Sequence, residues 1–379
     1  MVQEALTGLH GGVLPIQWLH RAAHEGWVNA PGIPFKPGQF QPASLDLRLG
    51  PVAYRIRSSF LPGQDTVADK LTSLKMYDIA LTPSAVLERG HAYLIPLIEE
   101  LALPPDIHAK ADPKSSTGRL DIFTRIITDM QPRFDDIRAG YHGKLYLEVF
   151  SRSFTINVHS GLSLNQLRLF SGQPRLADTD LHDLHATDPL LYDDANRPLA
   201  PESIYTDGGL FLGVDIPGNP EAIVGYKAKK NSDIIDLSRE GGYDPSAFWE
   251  PLYHVAHRPF ILEPEEFYIL ASKEKVCIPP DYAAELMAYD TGSGELRTHY
   301  AGFFDPGFGY GRSPHKGTKA VLEVRPHDVP FLVEDGQLVC KLCLDQTTER
   351  PTQLYGTELN SHYQSQALTL SKLFLPWQS

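Results

Sequence analysis

The sequence predicts a mainly β protein built as two copies of one domain, and three observations carry this. Runs of alternating apolar and polar residues recur along the 379 residues, separated by stretches rich in Gly and Pro, which is strand-and-turn patterning. Little of the chain shows helical periodicity. A set of landmarks repeats at one spacing: Tyr93 and Tyr268, Pro104-Pro105-Asp106 and Pro279-Pro280-Asp281, Leu147-Glu148-Val149 and Leu322-Glu323-Val324, Gly161 and Gly336 all lie 175 residues apart. A single register over such a span marks an internal repeat. The expected division is a first domain over 1–175, a connector over 176–202 with turn and loop composition, and a second domain over 203–379.

The elements follow in order. Leu14, Trp18 and Ala22 at helical spacing predict a short amphipathic helix within Leu14–Val28. Leu45, Leu47 and Leu49 alternate with Asp46 and Arg48, predicting a strand with one buried face. Further strands are expected around Tyr93–Ile98 and beyond Lys144. Between them PKSSTGR, Pro113 to Arg119, follows a strand ending near Ala111. Its adjacent hydroxyls and one Arg supply short-range donors plus a bidentate fork, either for a polyphosphate or as an ordinary turn with an exposed Arg. In the second half, Thr298 to Val324 reads as a hairpin arm around an Asp305-Pro306-Gly307 turn. Period-2 alternation sets Glu323 on the opposite face from Leu322 and Val324, as a general base or as a solvent-facing side chain.

Composition bounds the chemistry. Apolar content of 42% and charged content of 21% are those of a globular protein. A net charge of −13 argues against a nucleic-acid polymer as partner, because that needs an extended basic surface. A small anionic ligand remains open to a local cluster of donors. No apolar window long enough for a membrane span occurs, and the N-terminus lacks the regions of a signal peptide, so a cytoplasmic protein is expected. Cys277, Cys340 and Cys343 form no disulfide framework. The Cys340/Cys343 spacing puts the two sulfurs on opposite faces of one strand, which favours core packing over a metal site. The H-x-E with P-C-x-x-C signature of zinc deaminases is absent.

THYAGFFDPGFG followed by VLEV, with PASLDLRLG at 42–50 and KSSTGR at 114–119, resembles the dCTP deaminase branch of the dUTPase-like family. The resemblance covers nearly the whole chain. It implies a duplicated dUTPase-like fold, a distorted β-barrel or jelly roll with short helices. It implies hydrolytic deamination of dCTP to dUTP and ammonia without zinc, feeding dTTP synthesis. Glu323 would be the catalytic general base, with Asp305 beside it. Lys114, Ser115, Ser116 and Arg119 would hold the triphosphate with its Mg²⁺, although Thr117 and Gly118 replace the family's more frequent Leu and Ala. Ala301, Val321 and Leu322 would contact substrate, and Tyr355, His362 and Gln366 would cover it, His362 standing where the family has Lys. The family forms trimers with sites between neighbouring domains, so a homo-oligomer, a trimer, is implied.

The two halves differ in a complementary way. The first has MQPRFDDIRAGYHG in place of the Asp-Pro-Gly turn but keeps Glu148, the alternative catalytic residue or a structural relic. The second has Asp290, Thr291 and Gly294 in place of Ser115, Ser116 and Arg119. Other readings are a dUTP pyrophosphatase or a bifunctional enzyme, for which Asp112 and Asp121 are available, and a non-catalytic nucleotide-binding scaffold.

Overall fold

In the computed structural model the chain is mainly β, as the patterning predicts. The structure describes residues 11–216, 222–253, 259–288, 296–298, 302–311, 316–356, 363 and 366–377. Two compact units result. The first takes Met1–Pro174 together with two later stretches, Asp233–Arg239 and Gln346–Gln353; the second takes Arg175–Ser232, Glu240–Asp345 and Leu354–Ser379. No described helix is long and apolar enough to cross a membrane.

In the first unit one sheet runs through Lys75–Ala80, Val52–Ile56, Ala92–Ala102, His142–Ser151 and Ile122–Ile127. A second joins Gly12–Val13, Ser163–Ser171, Ile107–Pro113 and Asp136–Ile137, with Leu45–Arg48 also paired to Ser163–Ser171. A small third sheet sets Ala85–Leu87 against Ile156–Val158, and the parallel strand Ile235–Asp236 completes it. The predicted helix is Ile16–His24, with Ile16, Leu19 and Ala22 buried. Leu45–Arg48 is buried on both faces rather than one, because its charged residues have partners inside the unit. Arg48 Nε donates to Glu99 Oε1 at 2.7 Å, and Lys114 pairs with Asp46.

The second unit repeats this plan. Its sheets are Trp249–Tyr253, Ile223–Ala228, Tyr268–Val276, Thr318–Pro326 and Leu296–Thr298, then Leu210–Gly213, Leu338–Gln346, Tyr282–Ala288 and Phe303–Phe304. The register is shared down to single hydrogen bonds. Tyr93 Oη accepts from Glu88 N at 3.0 Å, and Tyr268 Oη accepts from Glu263 N at 2.9 Å. Gly161 N donates to Leu49 O at 2.8 Å, as Gly336 N does to Val214 O at 2.8 Å. Among the described residues the strand pairing leaves open sheets in each unit, so the expected barrel or jelly-roll closure is not seen in the ladders.

The connector expected over 176–202 is not a loop. It holds the helix Asp178–Thr187 and the strand Leu191–Tyr192, and Leu181, Leu190 and Leu191 join the second unit's core. These match Ile16–His24 and Val28–Asn29 of the first unit: Leu191 pairs with Val276 as Val28 pairs with Leu101. Turn-forming Asp, His and Pro hide the match. His185 is buried, accepting from Leu190 N on Nδ1 at 3.1 Å and so donating from Nε2 to Leu199 O at 2.9 Å.

Candidate active site

The Thr318–Pro326 strand is buried along its whole length. Ala320, Leu322 and Val324 enter the apolar core. Alternation puts Lys319, Val321, Glu323 and Arg325 on the other face. Glu323, only 6% exposed and opposite Ile269 on the neighbouring strand, is therefore not a solvent-facing residue. An ionised carboxylate is costly to bury without compensating contacts. Leu322 was expected to contact substrate, but its side chain lies in the core. Two further groups frame the polar face. Lys319 forms ion pairs with Asp215 and with Asp194, the latter at 3.1 Å, and Arg325 donates to Glu265 O.

Asp305 begins the turn that the sequence singled out and is 6% exposed. Phe308 N donates to Asp305 O at 3.1 Å, Gly307 N to Ile278 O at 3.1 Å, and Ile278 N to Phe308 O at 2.8 Å. Gly307 has φ +95, a conformation that glycine adopts without a Cβ penalty. The tail buttresses this turn. Tyr355 N donates to Pro306 O at 2.9 Å, and its ring packs 5.6 Å from that of Phe308. Gln366 Nε2 donates to Lys319 O at 3.1 Å, on the strand that carries Glu323. The structure thus brings Asp305 together with Tyr355, and Gln366 together with the strand of Val321 and Glu323. Ala301 and His362 lie outside the described residues, as do Asp290, Thr291 and Gly294.

The proposed phosphate segment is in the first unit. The strand Ile107–Pro113 runs into a single helical turn, Ser115–Gly118, preceded by Lys114 in extended conformation. Ser115 and Ser116 are half-buried, and the Lys114 ammonium pairs with Asp46. Arg119 is only 3% exposed, so it is not the solvent-exposed Arg of an ordinary turn. Asp121 is fully buried, with φ +58 and its Oδ2 accepting from Ser153 Oγ at 2.6 Å. Asp112 is 7% exposed.

The first unit's counterpart of the Glu323 face holds a feature that the sequence reading missed. Glu148, 1% exposed, accepts from Arg125 Nε at 3.0 Å, from Arg125 Nη2 at 2.8 Å and from Ser59 Oγ at 3.1 Å. Its charge is committed to a cross-strand ion pair. The turn is not lost either. Tyr141 N donates to Arg138 O at 3.2 Å and Leu103 N to Tyr141 O at 2.9 Å, the bonds made by Phe308 and Ile278, while Gly140 N donates to Pro104 O at 3.1 Å, one residue beyond the position that Gly307 uses. Arg138-Ala139-Gly140 keeps the backbone of the turn, and what has gone is the carboxylate of Asp305. The surviving signal was a Gly followed by an aromatic, in a loop of different length from its partner. Nearby, burial pushes the Asp135 carboxyl up to about 7 even though it accepts from Ile126 N.

Cys340 joins the apolar core and Cys343 lies near Met287 and Gly208, the opposite-facing arrangement expected. Burial raises the pKa of both thiols. Among the described residues no group of three His, Cys, Asp or Glu side chains is placed to hold a metal ion.

Residues 10–173 match the 2'-deoxycytidine 5'-triphosphate deaminase (DCD) N-terminal domain and residues 177–374 the corresponding C-terminal domain. A protein named "dCTP deaminase, dUMP-forming" from Methanoculleus marisnigri is 32% identical over 140 residues, 35% of this chain and 68% of that one. One of the same name from a Nocardioides species is 28% identical over 138 residues, 36% and 69% of the two chains. The crystal structure of 2'-deoxycytidine 5'-triphosphate deaminase from Agrobacterium tumefaciens superposes with a TM-score of 0.84 at 43% identity, covering 92% of this chain and 99% of that one. The chain belongs to the 2'-deoxycytidine 5'-triphosphate deaminase family, in the form that carries both its N-terminal and its C-terminal domain.

Proposed function

We propose that the protein hydrolytically deaminates dCTP to dUTP and ammonia. The observation that carries this reading is Glu323, a buried carboxylate on the face of its strand that turns away from the core. Glu323 takes a proton from water as the oxygen attacks the ring carbon bearing the amino group, then returns a proton to the departing nitrogen, so that ammonia leaves. Asp305 supports the turn and meets the sugar or base. Lys114, Ser115, Ser116 and Arg119 hold the triphosphate, with Mg²⁺ arriving as part of the substrate. A cytoplasmic homo-oligomer belongs to the same reading, as does descent of the two units from one duplicated domain.

The names of the curated relatives favour a second reading, in which dUTP is cleaved further to dUMP. One assay separates the two: purified protein is incubated with dCTP and with dUTP, and ammonia and pyrophosphate are measured. Ammonia without pyrophosphate supports deamination alone, and both products support a dUMP-forming enzyme. Pyrophosphate from dUTP with no ammonia from dCTP would reject the deaminase. Activity should survive a zinc-selective chelator once Mg²⁺ is restored, and a zinc-reversible loss would reject the Glu323 mechanism.

A further inference from the structure

We propose that Asp46 is a positioning residue for the triphosphate: it orders the Lys114 ammonium at the head of the Ser115–Gly118 turn. This rests on the reading of residues 114–119 as the phosphate segment. Asp46 is 7% exposed and pairs through Oδ2 with Lys114 Nζ. Its place on the Leu45–Arg48 strand is fixed from both sides. Gln39 Nε2 donates to Asp46 O at 2.8 Å, and Gln166 lies opposite in register. Gln166 Nε2 also donates to Pro113 O at 3.4 Å, and Lys114 N donates to Leu164 O at 3.0 Å. Three segments therefore converge on one lysine, whose side chain is 26% exposed and reachable from solvent.

The chemistry suits preorganisation. A lysine stem is flexible, and ordering it at the moment of binding subtracts from affinity. A carboxylate that orders it beforehand removes part of that cost, and an ammonium with three donors can serve Asp46 and still offer hydrogens to a phosphate.

The second unit supplies an independent comparison. The Asp46–Gln166 register recurs there as Phe211–Lys341, so the position of Asp46 is held by Phe211. By the 175-residue offset the position of Lys114 is held by Tyr289, which lies outside the described residues. The acid and the lysine are thus replaced together, in the copy that also lacks the Ser-Ser-x-x-Arg sequence. They form one unit, and it accompanies the phosphate segment.

The test is a double-mutant cycle on the full-length protein with Asp46→Asn, Lys114→Met and the pair. It is read by dCTP kinetics and by calorimetric titration with inorganic tripolyphosphate. Asp46→Asn should raise KM for dCTP and Kd for tripolyphosphate by about five-fold with kcat within about two-fold, and should add nothing in the Lys114→Met background. Asp46→Glu should restore part of the affinity, and it carries the same comparison should Asp46→Asn fail to fold. An unchanged or lowered KM, or an equal effect of Asp46→Asn with and without Lys114, overturns the proposal. If the wild-type protein binds tripolyphosphate through Lys114 yet releases no ammonia from dCTP, the deaminase reading fails while Asp46 is still judged by the titration. If it binds no tripolyphosphate, the Asp46 proposal falls.

Discussion

Glu148 and Glu323 share one register, and the ion pair at Glu148 sets what that residue can do. Glu148 is consumed by Arg125 and Ser59, whereas Glu323 lies on a strand face shared with Lys319 and Arg325, each of which has an acceptor on another element. Loss of a general acid–base group costs on the order of 10²–10⁴ in rate. Glu323→Gln should therefore be nearly inactive in the ammonia assay, and Glu148→Gln should keep most activity. The reverse result would reassign the two units. Asp135 makes a separate prediction. Its pKa is raised by burial from 3.8 to about 7 in the folded state, so its contribution to stability is fully present below about pH 4 and is lost as pH rises through about 7. Asp135→Asn keeps an acceptor for Ile126 N and removes the ionisation. The variant should gain on the wild type by on the order of 1–4 kcal/mol between pH 5 and pH 8, and thermal melts that stay parallel across that range would reject the assignment. At this scale the sequence shows residue type but not commitment. Glu148 and Glu323 sit in the same Leu-Glu-Val triplet, and nothing in that triplet announces that Glu148 is paired with Arg125 across the strands.

Between residues and domains, the turn at 305–308 ties Tyr355 of the tail to Ile278 at the end of a core segment. An added Cβ at Gly307 would lie 2.9 Å from Leu354 Cβ and 3.1 Å from Tyr355 N, in a backbone conformation that already disfavours a side chain. Gly307→Ala should cost roughly 1–3 kcal/mol and displace the tail from the turn. At Gly140, in the matching turn, the nearest atom is Pro105 Cα at 3.5 Å, so Gly140→Ala should cost less. Melting curves of the two variants check the order. The strands were largely legible, because period-2 alternation and Gly-bounded turns report directly on a pleated, half-buried surface. The helix Asp178–Thr187 was not. It places Asp at its first and third positions, where acidic residues suit a helix N-terminus but also resemble loop composition. The Arg138 turn escaped for a similar reason: backbone geometry persisted while its side-chain signature did not.

At the scale of the molecule, the first unit is assembled from three separated stretches of chain. Gln17 Nε2 donates to Glu349 Oε1 at 3.0 Å and to Arg350 O at 2.9 Å, and Thr352 N donates back to Gln17 Oε1 at 3.1 Å. Thr348 N donates to Val13 O at 2.9 Å, while Ile235 N and Leu237 N close the edge of Ile156–Val158 on Thr155 O at 3.0 Å and Asn157 O at 3.1 Å. A fragment ending at Pro174 leaves that edge exposed, which favours association between chains. It should lose near-UV circular dichroism and elute as aggregates, and a monomeric fragment with a sharp melt would refute this. The 175-residue repeat made two domains foreseeable, but the late strands have no equivalent in the register and could not be read from it. Their consequence belongs to biosynthesis. Domains ordinarily fold as they leave the ribosome, N-terminal first, at roughly 5–20 residues per second. Here the N-terminal unit must wait for the roughly 180 residues that separate Pro174 from Gln353. For some ten to forty seconds at that rate, the nascent chain carries an unfinished sheet, and that interval is when a chaperone would find it.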